Sequence, residues 1–123
     1  MNRTTAIRLI ALLACIAFIA GLFIGGAQPV AVGLIPAPWD KLAHLVSFGV
    51  LTFLLELALR PRAWLLILLP LVVSAADEIH QSYLPGRFAS WEDWLAGAAG
   101  ACIAFLLLRH TRLRLRIATP EHG

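Results

Sequence analysis

The sequence has 123 residues, of which 60% are hydrophobic and 14% are charged, and its formal net charge is +3. A soluble domain of this composition lacks the polar side chains needed to cover its surface, which excludes a soluble protein and predicts one membrane domain over residues 1–123. The basic residues stand at the ends of apolar runs, a placement that indicates membrane topology and argues against a nucleic-acid partner.

Apolar runs along the chain predict an all-α fold, an integral membrane four-helix bundle. The runs are Leu9 to Gly26, Leu42 to Leu59, Trp64 to Ala76 and Trp94 to Leu108. The first run follows Arg3 and Arg8 and ends at Gly25-Gly26-Ala27, so it is either a signal peptide cleaved after Ala27 or an uncleaved signal anchor. Its long apolar stretch favours the uncleaved helix.

The third run is short for a membrane span. Its roughly 13 residues cover only about two thirds of a ~30 Å hydrocarbon core at ~1.5 Å per residue. We therefore expect this helix to continue through the polar residues that follow it, which are Asp77, Glu78, His80 and Gln81. Pro70 lies inside the run and is expected to kink the helix.

The fourth helix has a recognisable start and a face of small residues. Ser90-x-x-Asp93 fits a capping box, in which both side chains satisfy free backbone N–H groups. Small residues four positions apart predict close helix contact, and they are Ala96, Gly100 and Ala104 together with Gly97 and Ala101. Gly21-x-x-x-Gly25 in the first helix offers the same possibility.

The distribution of Lys and Arg predicts the orientation. All but two of the ten basic residues precede the first run, join the second and third, or follow the fourth, namely Arg3, Arg8, Arg60, Arg62, Arg109, Arg112, Arg114 and Arg116. The exceptions are Lys41 and Arg87. The positive-inside rule then places both termini and a basic tail, residues 109–123, in the cytoplasm, and the polar segments around Asp40 and Asp77 outside.

Two polar segments are expected to meet at this outer face. Asp40-Lys41-x-x-His44 opens the second helix, and Asp77-Glu78-x-His80-Gln81 closes the third. One turn separates Asp40 from His44, so the carboxylate is placed to orient the imidazole. In the third helix, Asp77, His80 and Gln81 share a face, and Glu78 is expected to point about 100° away. The candidate ligand-binding residues are Asp40, Lys41, His44, Asp77, Glu78, Gln81, Arg87 and Asp93, with His44 and Glu78 as candidate catalytic bases.

Ordinary structural explanations compete with this site. Asp40 and Asp93 fit helix N-caps, Lys41 fits a side chain that snorkels to the interface, and Arg87 fits an ion-pair partner of the nearby carboxylates. Glu56 lies roughly 18 Å beyond His44 along the second helix, where snorkelling or pairing with Arg60 explains it. Cys15 and Cys102 stand inside apolar runs, which favours small buried side chains without a disulfide or metal role.

The motifs also resemble a known family. Asp40-Lys41-x-x-His44, Asp77-Glu78-x-x-Gln81, Pro85-Gly86-Arg87, Asp93 and Gly100, between about Pro38 and Ala104, are similar to the VanZ-like family of small bacterial membrane proteins. The family's frequent Tyr four residues after the His is Phe48 here, and its frequent Asn before the last Gly corresponds to Gly97, which puts in doubt any role that needs an amide in the fourth helix. The resemblance implies a cell-envelope role in the bacterial inner membrane. The namesake is linked to reduced susceptibility to teicoplanin.

Three classes of function fit these residues. The first is a non-catalytic protein that binds a membrane lipid or lipid-linked envelope precursor, with Arg87 and Lys41 contacting its anionic group. Its interfacial anchors are Trp39, Trp91 and Trp94. The second is an intramembrane enzyme in which His44 or Glu78 is the general base and Arg87 stabilises an anionic transition state.

The remaining alternatives concern metals, structure and assembly. A metal-assisted enzyme has plausible ligands in His44, Asp77, Glu78 and His80, but a dedicated metal-binding signature is missing, so no metal or cofactor is predicted. The third class is a structural protein whose polar cluster only holds the helices together. Homo-oligomerisation stays open, and a transporter is disfavoured because four short helices leave little room for a pathway.

Overall fold

Helices make up most of the computed structural model, which describes residues 1–118, with side chains to residue 112. The described residues form four α-helices, α1 (Arg3–Ala20), α2 (Trp39–Leu59), α3 (Ala63–Ser82) and α4 (Trp91–Ala118). A π-helical segment, Gly21–Gly25, prolongs α1, and a 3-10 turn, Pro29–Ala31, lies in the loop before α2. Each of the four α-helices is long and apolar enough to span a membrane, which confirms the predicted all-α membrane fold.

α3 is as long as a full membrane span predicts, whereas α4 extends beyond its apolar run. α3 continues through its polar residues to Ser82, as a full membrane span requires, and Pro70 lies buried within it. α4 continues to Ala118, so the first part of the predicted basic tail is helical. The side chains of Arg114 and Arg116, and the whole of residues 119–123, lie outside the described residues.

α2 is the central helix of the bundle. It contacts α1, α3 and α4, and its buried face, which includes Phe48, Leu51 and Leu55, lies in the apolar core. The chain runs up and down, because Arg8 Nε near the start of α1 donates to the carbonyl oxygen of Ala58 near the end of α2. The end of the bundle where α2 and α4 begin and α3 finishes is called the polar end below.

α2 and α4 approach each other most closely where both carry glycine. A Cβ at Gly49 would lie 3.3 Å from the carbonyl oxygen of Gly100, and a Cβ at Gly100 would overlap the carbonyl oxygen of Leu45. The predicted small-residue face of α4 is therefore a contact face. At Gly21 and Gly25, by contrast, a Cβ meets nothing within 4 Å in the described chain, so this glycine pair packs against no neighbour there.

Glu56 pairs with a residue distant in sequence. Its side chain is buried, with 5% of the residue exposed, and its Oε1 contacts Nη2 of Arg112 in α4. We expected snorkelling or an ion pair with Arg60. Arg60 instead ends α2 in the left-handed conformation, and its backbone N–H donates to the Glu56 carbonyl oxygen. The Glu56–Arg112 pair thus joins α2 to α4 at the end opposite the polar end.

Replacing Gly100 by Ala is expected to lower the stability of the bundle by about 1–3 kcal/mol, because the added methyl group must push α2 and α4 apart. The measurement is the midpoint of thermal unfolding in detergent, followed by circular dichroism. Gly21→Ala is the matched control, since the methyl group finds open space among the described residues. Equal midpoints for the two variants would contradict the tight crossing.

Arg112→Gln is expected to cost about 1–3 kcal/mol, because it leaves the buried Glu56 carboxylate without its counter-charge. Adding Glu56→Gln should recover most of that loss by removing the uncompensated charge. Unfolding midpoints of both single variants and the double variant make the measurement, with the exposed Arg60→Gln as control. A double variant no more stable than Arg112→Gln would assign the loss to another cause.

Candidate functional site

The predicted site residues lie together at the polar end. Four are almost fully buried, with exposed fractions of 2% for Asp77, 6% for Glu78 and 7% for both Gln81 and Asp93. The others are half-buried, and they are Asp40, Lys41, His44 and Arg87. Because an unpaired charge at membrane depth costs several kcal/mol, the partners of these groups determine what the site can do.

His44 is held through the ring nitrogen that faces its own helix. Its Nδ1 lies 2.9 Å from the carbonyl oxygen of Asp40, one turn earlier in α2. A carbonyl oxygen can only accept, so Nδ1 carries a proton and donates it. The expected orienting group was the Asp40 carboxylate, but the backbone carbonyl serves instead. This hydrogen bond leaves Nε2 directed toward α3.

Two carboxylates of α3 face this nitrogen. His44 Nε2 lies 3.3 Å from Oε1 of Glu78 and 3.9 Å from Oδ2 of Asp77. We expected Glu78 to point away from the face shared by Asp77 and Gln81, yet all three side chains are buried. α3 is packed against both α2 and α4 here, so its buried face is wider than one row of side chains. The Nε2 of Gln81 donates to Oδ2 of Asp77 over 3.1 Å.

His80 belongs to a different surface of α3. Its ring packs against Phe23, with the ring centroids 5.2 Å apart, and so faces the π-helical segment after α1. The atoms that could ligate one metal ion in the described chain come from His44, Asp77 and Glu78 and lie within 4.8 Å of one another. His80 therefore does not belong to the metal-ligand group that the sequence suggested.

The start of α4 is held by α3 as well as by its own cap. The backbone N–H of Asp93 donates to Oγ of Ser90 over 3.3 Å, which is one half of the predicted capping box. The other half differs, because the backbone N–H of Ser90 donates to Oε2 of Glu78 over 2.8 Å. The Asp93 carboxylate is turned instead toward α2.

Lys41 links α2 to α4 through a group of carboxylates. Its Nζ lies 3.4 Å from Oδ1 of Asp93, 3.4 Å from Oε2 of Glu92 and 3.5 Å from Oδ2 of Asp40. Asp40 does not cap α2 through its side chain, because the N-cap position is Pro38 and the Oδ1 of Asp40 accepts from the Lys41 backbone N–H. The ammonium is thus already shared among acidic groups and is not a free anion-binding charge.

Arg87 lies in the loop between α3 and α4. Its Nη1 donates to the carbonyl oxygen of Ala31 over 3.1 Å, in the loop before α2. Within the described chain it forms no ion pair with Asp77 or Glu78, contrary to the structural explanation drawn from sequence. Because a guanidinium carries five N–H donors, Arg87 keeps donors for a ligand.

A cavity of about 490 Å³ opens between these elements. Its polar lining consists of Asp40, His44, Gln81, Arg87, Ser90 and Asp93. Leu34, Ile35, Ala43 and Phe88 contribute apolar side chains to its wall. A cavity of this volume, with a few polar groups set in an apolar wall, is typical of a small-ligand site.

Sequence reasoning missed two contributors to this region. Glu92 contacts Lys41, but an acidic residue in the first turn of a helix is common and gave no reason to single it out. Ala31 contributes only a carbonyl oxygen, to Arg87, and no residue type signals a backbone contact.

Comparison with known proteins agrees with the motif resemblance. A family model described as VanZ/LLP1 matches residues 3–114, which include the four predicted spans and every candidate site residue. No match was found among curated proteins or among solved structures. Because the match covers most of the sequence, the chain belongs to the VanZ/LLP1 family, as a multi-pass membrane protein.

Proposed function

We propose that this protein binds the head group of a lipid, or of a lipid-linked cell-envelope precursor, in the cavity at the polar end. The observation that carries the proposal is a cavity of about 490 Å³ whose lining combines carboxylates, an imidazole and a guanidinium with apolar side chains. Such a lining suits a ligand with a polar head and an apolar remainder.

The aromatic residues around the cavity favour a position at the membrane surface. The exposed fractions are 62% for Trp39, 81% for Trp91, 83% for Tyr83 and 85% for Phe88, all near the polar end. Trp and Tyr are enriched where lipid head groups meet the hydrocarbon. Their position supports a ligand drawn from the lipid phase.

The charges around the cavity favour a ligand rich in hydrogen-bond donors. Asp40 and Asp93 line it as acceptors, and Lys41 is shared among carboxylates. Arg87 is the remaining cation that lines the cavity among the described residues. The ligand that fits best carries hydroxyl or ammonium groups for the carboxylates and one phosphate for Arg87.

The proposal also includes the orientation of the protein in the membrane and a role in the cell envelope. Arg8 and Arg112 lie at the end opposite the polar end, which supports both termini in the cytoplasm and the cavity at the outer face of the inner membrane. An outer-leaflet precursor is also the kind of ligand through which a VanZ-family protein would alter susceptibility to teicoplanin.

A second candidate is an intramembrane enzyme acting on such a ligand. The observation that favours it is the 3.3 Å separation between His44 Nε2 and Glu78 Oε1, with the other ring nitrogen fixed by Asp40. A base oriented in this way beside a cavity is suited to proton transfer. His44 lines the cavity, so its ring can contact a bound ligand.

Arg87→Gln is expected to weaken head-group binding about ten- to a hundredfold, because one charge-assisted hydrogen bond is worth about 1.5–3 kcal/mol. Native mass spectrometry of the protein in detergent, titrated with phosphatidylethanolamine, phosphatidylglycerol and a polyprenyl-phosphate sugar, gives the affinities. Arg62→Gln, at the other end of the bundle, is the matched control. Equal affinities for wild type and Arg87→Gln would refute binding in this cavity.

Comparative lipidomics separates binding from catalysis. A binding protein should leave the set of envelope lipid species unchanged in a deletion strain and in strains carrying Glu78→Gln or His44→Gln. Accumulation of one species in all three strains, but not with the exposed control Glu92→Gln, would favour the enzyme. Teicoplanin susceptibility measured in the same strains shows whether the ligand is connected with that antibiotic.

A further inference from the structure

Three ligating atoms converge at the polar end without a donor between them. His44 Nε2 lies 3.3 Å from Glu78 Oε1 and 3.9 Å from Asp77 Oδ2. Glu78 is only 6% exposed, and its Oε1 is buried without a hydrogen-bond partner in the described chain. Because Nδ1 of His44 holds the ring proton, the neutral ring presents a lone pair at Nε2. With the ring neutral, acceptors would face acceptors, so this contact requires either a proton on Nε2 or a metal ion among the three atoms.

Each of the three side chains is oriented by a hydrogen bond from outside the group. His44 donates through Nδ1 to the Asp40 carbonyl, Gln81 donates to Asp77, and the backbone N–H of Ser90 donates to Oε2 of Glu78. Histidine ligands of metals almost always donate their other ring N–H to a carbonyl or carboxylate, and carboxylate ligands are likewise held by donors. The structure thus has both the ligands and the groups that orient them.

We propose that His44, Asp77 and Glu78 bind a divalent transition-metal cation of the Zn²⁺ or Mn²⁺ type. The 3.3 Å between His44 Nε2 and Glu78 Oε1 equals the edge of a tetrahedron with metal–ligand bonds of ~2.0–2.1 Å. A small shift of Asp77 brings its carboxylate into the same sphere. His44 also lines the cavity, so this ligand group borders the cavity through its imidazole.

The ligand set selects among metals. One imidazole nitrogen with two carboxylate oxygens suits Zn²⁺ or Mn²⁺, whereas Ca²⁺ takes about six to eight oxygen ligands and Mg²⁺ prefers oxygen ligands and usually keeps several waters. No thiol takes part, since Cys15 and Cys102 lie outside the group. A proton on His44 would also satisfy the two carboxylates, so the experiment must separate a metal from a proton.

The experiment measures Zn²⁺ binding to the full-length protein in detergent, stripped with chelator and dialysed. Isothermal titration with Zn²⁺ and, separately, with Mn²⁺, followed by elemental analysis after dialysis, should give one bound ion per chain for the wild type. His44→Gln and Glu78→Gln should each lower the affinity at least tenfold. The matched control is His80→Gln, which removes an imidazole from α3, the helix of Asp77 and Glu78, but outside the group, and should bind like the wild type. Mg²⁺ in the same titration should give no saturable binding.

A second measurement uses only the wild-type protein, so its result does not depend on whether the variants fold. Zinc X-ray absorption of the loaded wild-type protein should show one imidazole and oxygen neighbours without sulfur. Absence of stoichiometric Zn²⁺ and Mn²⁺ binding by the wild type, or a sulfur ligand, would overturn the metal site and leave a protonated His44. The inference does not depend on head-group binding, because Zn²⁺ is titrated in detergent without added lipid and head-group affinity can be measured after chelation.

Discussion

The close crossing of α2 and α4 at their glycines controls the geometry of both ends of the bundle. With Gly100 in backbone contact with Leu45 and Gly49, the two helices cannot slide or rotate without collision. At one end this register brings Lys41 to Asp93, and at the other it brings Glu56 to Arg112. The ion pairs at the ends therefore depend on the absence of side chains at the crossing.

The polar end carries more carboxylates than cations, and this imbalance governs its chemistry. Its acidic groups are Asp40, Asp77, Glu78, Glu92 and Asp93, and its described cationic side chains are Lys41 and Arg87. In a low-dielectric setting such an excess is stable only with protons, a metal or a donor-rich ligand. This excess of carboxylates disfavours the anion-binding role that the sequence suggested for Lys41.

The features that could be predicted from the sequence are those fixed by length and topology. The need for a full span extends α3 through Asp77 and Glu78, and alternating direction brings them beside His44. The rotation of one helix relative to another cannot be read from the sequence of a single helix. The sequence therefore could not show that Glu78 lies beside His44 or that His80 lies outside this group. The Glu56–Arg112 pair could not be predicted either, because its two residues are far apart in the sequence and meet only where α2 packs against α4.

Glu78 connects the site to the packing of the bundle. Its Oε2 accepts the backbone N–H of Ser90, a role that a capping box would give to Asp93, while its Oε1 faces His44. One carboxylate thus holds the start of α4 and completes the group of ligating atoms on α2 and α3. A proton or metal at Oε1 would withdraw negative charge from Oε2, so occupancy of the proposed site would change the strength with which α4 is held. Glu78 is therefore the side chain that connects the proposed site to the packing of α4.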